Sequence, residues 1–110
     1  KEQQRREHQQ HRSAHHHWGV AKRLEHKDNY AATKLTVYPR SSLELPAQKN
    51  TSYHLFILRG RAKLIIGPEE KTLSAGEAIT CRKSEAVSIE NGAEAELSLI
   101  QLALKNQVGD

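Results

Sequence analysis

The chain has 110 residues, 36% of them apolar, and five aromatics (Trp18, Tyr30, Tyr38, Tyr53 and Phe56), enough for one modest core and too little for two. No run approaches the roughly 20 apolar residues a membrane helix needs, which excludes a spanning helix. The net charge of +4 lies in residues 1–27, where seven basic residues face three acidic ones and six of the seven histidines gather; the rest of the chain is neutral.

Residues 1–16 are almost wholly polar, with good helix formers but no apolar stripe, so they are expected to be disordered or helical only against a support. The basic excess there fits a solvated arm better than a nucleic-acid surface, because no aromatic precedes Trp18 for bases to stack on. From Trp18 onward short β-prone runs alternate with turn residues. KLTVY (34–38) alternates and stops at Pro39; SLEL (42–45) alternates and stops at Pro46. YHLFILRG (53–60) is the most apolar run and reads as a central strand. RAKLIIG (61–67) ends in the turn signal Gly67-Pro68, which leaves Glu69-Glu70-Lys71 as a solvated hairpin tip. KTLSAGEAITC (71–81) reads as two strands about a turn at Ala75-Gly76-Glu77. EAVSIENG (85–92) and AELSLIQLAL (95–104) complete the series, with Asn91-Gly92 a hairpin signal between them. Strands arriving every 8–12 residues without a helix predict a sandwich or small barrel from 18 to 110, preceded by an arm over 1–17. On the longest strand Ser52, His54, Phe56 and Leu58 share one side, Tyr53, Leu55, Ile57 and Arg59 the other; register decides which faces inward.

Candidate chemistry is sparse. Cys81 is the one cysteine, which excludes an internal disulfide and, with no spanning run, points to the cytoplasm. Its neighbours Arg82 and Lys83 are cations able to lower its pKa, but a lone cysteine with no histidine in sequence context reads rather as a small strand residue. His15, His16 and His17, near His8 and His11, are the remaining metal-like cluster. On extended backbone they alternate faces, so the expectation is adventitious binding. The chain begins at Lys1 and has no methionine, which reads as a piece of a longer protein.

The order of these blocks resembles the C-terminal cupin (jelly-roll) domain of type II phosphomannose isomerases, a domain usually fused behind a mannose-1-phosphate guanylyltransferase. His11-Arg12 and Trp18-Gly19 resemble its linker and entry, and KLTVYPR its strand ending in proline-glycine, with Arg40 for the glycine. HLFILRGRA, LSAGEAIT, IENG and LSLIQLAL resemble its later strands and turns in order. The resemblance implies an all-β cupin barrel, and in an intact member a divalent metal held by two histidines, a glutamate and a later histidine. Aligned here, those four positions are Gln48, Asn50, Tyr53 and Val87, while Gly60, Gly76 and Asn91 of the framework are kept. Arg82 and Ser84 replace a proline and a glycine of the second motif, and Thr51 replaces a basic residue. Amides, a phenol and an alkyl group are poor ligands for a divalent ion, so no cofactor and no catalytic residue is expected.

Three readings follow from the resemblance. The first is a metal-free, non-catalytic dimerisation or regulatory module, pairing by edge strands, that serves a nucleotidyltransferase domain in the same or a partner chain and is linked to mannose activation for polysaccharide precursors. The second keeps a sugar or sugar-phosphate pocket lined by Gln48, Asn50, Tyr53 and His54, with Val87 at the lost ligand position. The third is an active isomerase using His54, Glu44 and Glu85 as replacement ligands.

Overall fold

The computed structural model describes residues 13–48, 50–81 and 85–105. They form ten strands: β1 (Ser13–His16), β2 (Gly19–His26), β3 (Tyr30–Val37), β4 (Ser41–Leu45), β5 (Thr51–Arg59), β6 (Arg61–Ile66), β7 (Glu69–Ser74), β8 (Ala78–Cys81), β9 (Val87–Asn91) and β10 (Leu97–Lys105). A six-stranded sheet runs β1-β2-β3-β10-β5-β8, and a four-stranded sheet runs β4-β9-β6-β7. Every pairing is antiparallel. The chain repeatedly leaves one sheet for the other, as at Gly60 between β5 and β6, which gives the jelly-roll sandwich the strand spacing predicts.

Alternation selects the inward rows. On β5, Tyr53, Leu55 and Ile57 are buried while Phe56 and Leu58 are exposed; on β6, Ala62, Leu64 and Ile66 are buried. These rows meet Leu35 and Val37 of β3, Leu43 and Leu45 of β4, Val87 and Ile89 of β9, and Leu97 and Leu99 of β10 in one core cluster. Leu55, Ile57, Leu64, Ile89, Leu97 and Leu99 are completely buried, each contributing about 1.5–3 kcal/mol relative to exposure.

Three expectations are corrected by the structure, and one strand is added to those read from the sequence. Residues 13–16 are not part of a detached arm: they form β1, whose backbone pairs with β2 across the two-residue turn His17-Trp18, and the His16 ring stacks on Trp18 at 4.7 Å. Residues 1–12 lie outside the described residues. The second strand, β2, also escapes the periodicity reading, because a bulge between Arg23 and Glu25 breaks its alternation. Glu69-Glu70-Lys71 is not a hairpin tip but the start of β7, with Gly67 and Pro68 forming the turn. Asn91-Gly92 is not a hairpin either. β9 and β10 belong to different sheets, and the buried Asn91 side chain spans the gap between them. Its Nδ2 lies within hydrogen-bond distance of the Val37, Tyr38 and Ala95 carbonyls (3.1, 3.1 and 2.9 Å), and its Oδ1 accepts from the Ala93 amide at 3.1 Å.

Gly19 opens β2 where a β-carbon would stand 1.8 Å from the Thr36 carbonyl oxygen. Gly19→Ala is expected to cost about 3 kcal/mol or more in a denaturant titration, while Gly92→Ala, which meets nothing within 4 Å, stays near wild type. Arg40 occupies left-handed backbone, φ 59°, with its guanidinium paired to the exposed Glu94. An exposed pair contributes little, so Arg40→Gly is expected to raise stability by about 0.5–1 kcal/mol by the same measurement.

Candidate functional site

The residues picked out by sequence gather around one end of the sandwich, where β4 stops, β5 starts and β8 passes into β9. That end is plugged. Leu45, Tyr53, Ile66, Cys81 and Val87 fill it, none more than 7% exposed. Tyr53 pairs with Cys81 across β5 and β8, and Val87 with both Leu45 and Ile66. The Tyr53 hydroxyl donates to the Pro46 carbonyl at 2.9 Å, so the phenol is committed to closing the loop after β4.

Of the five proposed pocket residues, Tyr53 and Val87 enter the interior, as parts of the core. Gln48 is exposed on the loop, where its carbonyl accepts from the Thr51 amide at 3.2 Å. Asn50 is half-buried at φ 61°, a left-handed turn that asparagine tolerates, and it reverses the chain into β5. His54 is a correction. It lies in the row of β5 opposite Tyr53, on the outer face, where its Nδ1 hydrogen-bonds Thr80 Oγ1 of β8 at 2.8 Å. It therefore does not line a pocket with Tyr53.

The replacement-ligand set is not brought together. Glu44 is exposed on β4 between the inward Leu43 and Leu45, while His54 is on the outside of the other sheet. Glu85 is half-buried ahead of β9. Among the described residues no three His, Cys, Asp or Glu side chains could hold one ion. That includes His15 and His16 on β1 and His17 in the turn, although they are adjacent in sequence. The electrostatics of Cys81 favour the small strand residue over the reactive thiol. Burial, and then the Glu85 carboxylate, push its thiol up from the ordinary 9.0, so it is not the activated nucleophile that flanking cations imply. Burial alone pushes the Tyr53 phenol up.

The sequence reading missed a surface cleft of about 480 Å³ between the free edges of the two sheets, which abuts the packed end at Ile66 and Cys81 and is otherwise lined by Pro68, Glu69, Lys71, Ile79, Thr80 and Glu85. It arises because β7 and β8, joined by a tight turn, end different sheets; no local pattern encodes that.

These features define a cupin fold with an apolar interior. Solved structures agree: the cupin domain of an XRE family transcriptional regulator from Enterobacter cloacae superposes with a TM-score of 0.76 at 16% identity, over 82% of this chain and 99% of that one. A predicted oxalate decarboxylase from Thermotoga maritima gives 0.73 at 16% identity, over 87% and 92%. A cupin-superfamily sugar phosphate isomerase from Silicibacter pomeroyi gives 0.71 at 10% identity, over 81% and 60%. The family model for the mannose-6-phosphate isomerase C-terminal domain matches residues 3–110, and the chain belongs to that family. Among curated relatives, mannose-1-phosphate guanylyltransferase 2 of Escherichia coli O157:H7 is 31% identical over 108 residues, 98% of this chain and 22% of that protein. Mannose-1-phosphate guanylyltransferase of Escherichia coli strain K12 is 28% identical over 98 residues, 89% and 20%. The chain thus spans about a fifth of the length of these relatives.

Cys81 and Tyr53 supply a pH prediction. Both hold their protons longer folded than unfolded, so the stability they contribute is present below pH 9 and is lost as pH rises through 9 and 10. Unfolding free energy is expected to fall there by at most about 1.4 kcal/mol per pH unit for each group. In alkaline denaturant titrations Cys81→Ala and Tyr53→Phe should each flatten the decline while lowering the neutral-pH baseline.

Proposed function

We propose that this chain is a metal-free cupin module that serves mannose activation by assembly rather than by catalysis, in the cytoplasm, beside a nucleotidyltransferase domain in the same or a partner chain. The observation that carries the reading is the plugged end of the sandwich. Aldose–ketose isomerisation by a metal-dependent cupin needs a Lewis acid on the carbonyl and a base for the proton. Here Leu45, Tyr53, Ile66, Cys81 and Val87 take up the interior, and the one phenol among them is bonded to Pro46. The named activity of the guanylyltransferase relatives supports the connection to mannose activation. Polysaccharide precursor synthesis is the use we assign to it.

The test is an isomerase assay with mannose 6-phosphate in the presence of magnesium, manganese, cobalt or zinc, alongside metal analysis and a thermal-shift titration with mannose phosphates. The expected result is no turnover above buffer and no sugar-phosphate shift, with any bound metal removed by replacing His15, His16 and His17 with alanine. Metal-dependent turnover in that triple variant overturns the reading. So does a saturable shift with mannose 6-phosphate that Gln48→Ala abolishes.

A further inference from the structure

The outer faces of the two sheets differ in kind. On the four-stranded sheet Lys63 reaches Glu70 at 3.2 Å and Glu90 at 3.9 Å, among further polar and charged side chains: a face made for water. On the six-stranded sheet the outward row of β5 leaves Phe56 and Leu58 43% and 42% exposed. Beside it the outward row of β10 presents Ile100 and Leu102, paired in register with Phe56 and His54. Large apolar side chains contiguous across two central strands mark a covered surface rather than scattered exposure.

We propose that a second copy of this chain docks on this face, sheet against sheet, about a two-fold axis running along β10. Four strands about 4.8 Å apart and seven residues at about 3.3 Å each make a face of about 19 × 23 Å. Its plan area of about 440 Å² is about half of the roughly 800 Å² that each partner gives to a standard interface, which suits a weak, concentration-dependent dimer. Complementarity points to a second copy. The register across β10 sets Phe56, Ile100 and Lys34 at one level, His54, Leu102 and Ala32 at the next, and Ser52, Leu104 and Tyr30 at the third. A two-fold along β10 lays the β5 row of one copy over the β3 row of the other. Phe56 then meets the Lys34 stem and ammonium, His54 meets Ala32, and Ser52 meets Tyr30. A ring takes a cation, and bulk takes small side chains; no like charges face each other. The contact is between faces, not the edge-strand pairing expected from sequence. It rests on the assembly reading above and gives that reading a surface.

Sedimentation equilibrium of the full chain tests it. The expected result is a dimer that Phe56→Lys weakens at least tenfold, with the monomer's β-sheet circular dichroism unchanged, because the new ammonium faces Lys34. Adding Lys34→Glu to Phe56→Lys should restore association. Leu58→Glu, at an exposed position, provides a second disruption in case Phe56→Lys does not fold. A dimer indifferent to Phe56→Lys and Leu58→Glu but lost on deleting residues 1–17 overturns the face and keeps the assembly reading. A chain that stays monomeric at every concentration overturns the proposal and removes the support it lends to self-assembly.

Discussion

The inward rows of two antiparallel sheets can be buried together only if nearly every side chain on them is apolar, and the rest of this structure follows from that constraint. A cluster from Leu35 to Leu99 satisfies it, drawing on β3, β4, β5, β6, β8, β9 and β10. Among the described residues no buried side-chain nitrogen or oxygen lacks a partner. An interior arranged to hold a divalent ion obeys a different rule, because converging imidazoles and carboxylates are stable when the ion is present and costly to bury when it is not. With Val87 and Tyr53 both in the core cluster, this end of the interior is held by apolar packing.

The main polar exception shows how the sheets are kept in register. Asn91 is 2% exposed and ends β9, where the chain must leave the four-stranded sheet. A backbone ladder cannot continue across that gap, so the carboxamide substitutes for it, reaching the end of β3 at Val37 and Tyr38 and the approach to β10 at Ala95. An unpaired buried carbonyl costs about 1–3 kcal/mol, so one side chain that satisfies several is worth more than its size suggests. Gly19 is the steric counterpart at the same end of β3, admitting the Thr36 carbonyl where a β-carbon would stand.

How far the sequence could be read depended on whether a signal was local. β4 to β6 and β8 to β10 were legible because each alternates or forms an apolar run between turn residues, and the kept framework residues Gly60, Gly76 and Asn91 ordered them. β1 was not, because Ser13–His16 carries no apolar row and is a strand only through its ladder to β2. The Asn-Gly hairpin signal failed because its asparagine is spent on tertiary hydrogen bonds rather than on a turn. At the candidate site, the residue types at Gln48, Asn50, Tyr53 and Val87 were legible. Where each side chain points was not, since Tyr53 can point into a cavity or close one, and the Pro46 carbonyl decides which.

The ambiguity of β5 has a physical origin. A strand with one face in a core and the other in water carries its apolar residues on one row, and its register is then read at sight. β5 carries them on both, with Tyr53, Leu55 and Ile57 inward and Phe56 and Leu58 outward, so neither row betrays itself as the core row. The inward row is explained by the four-stranded sheet that covers it. The same free-energy argument applies to the outward row: leaving Phe56 and Leu58 in water forgoes stabilisation that a covering surface recovers, at about 25 cal/mol per Å² of apolar area. A barrel that works through its interior needs polar chemistry inside and is free to present a hydrated exterior. In this chain the two are exchanged on the six-stranded side, and β5 is the strand on which the exchange is written.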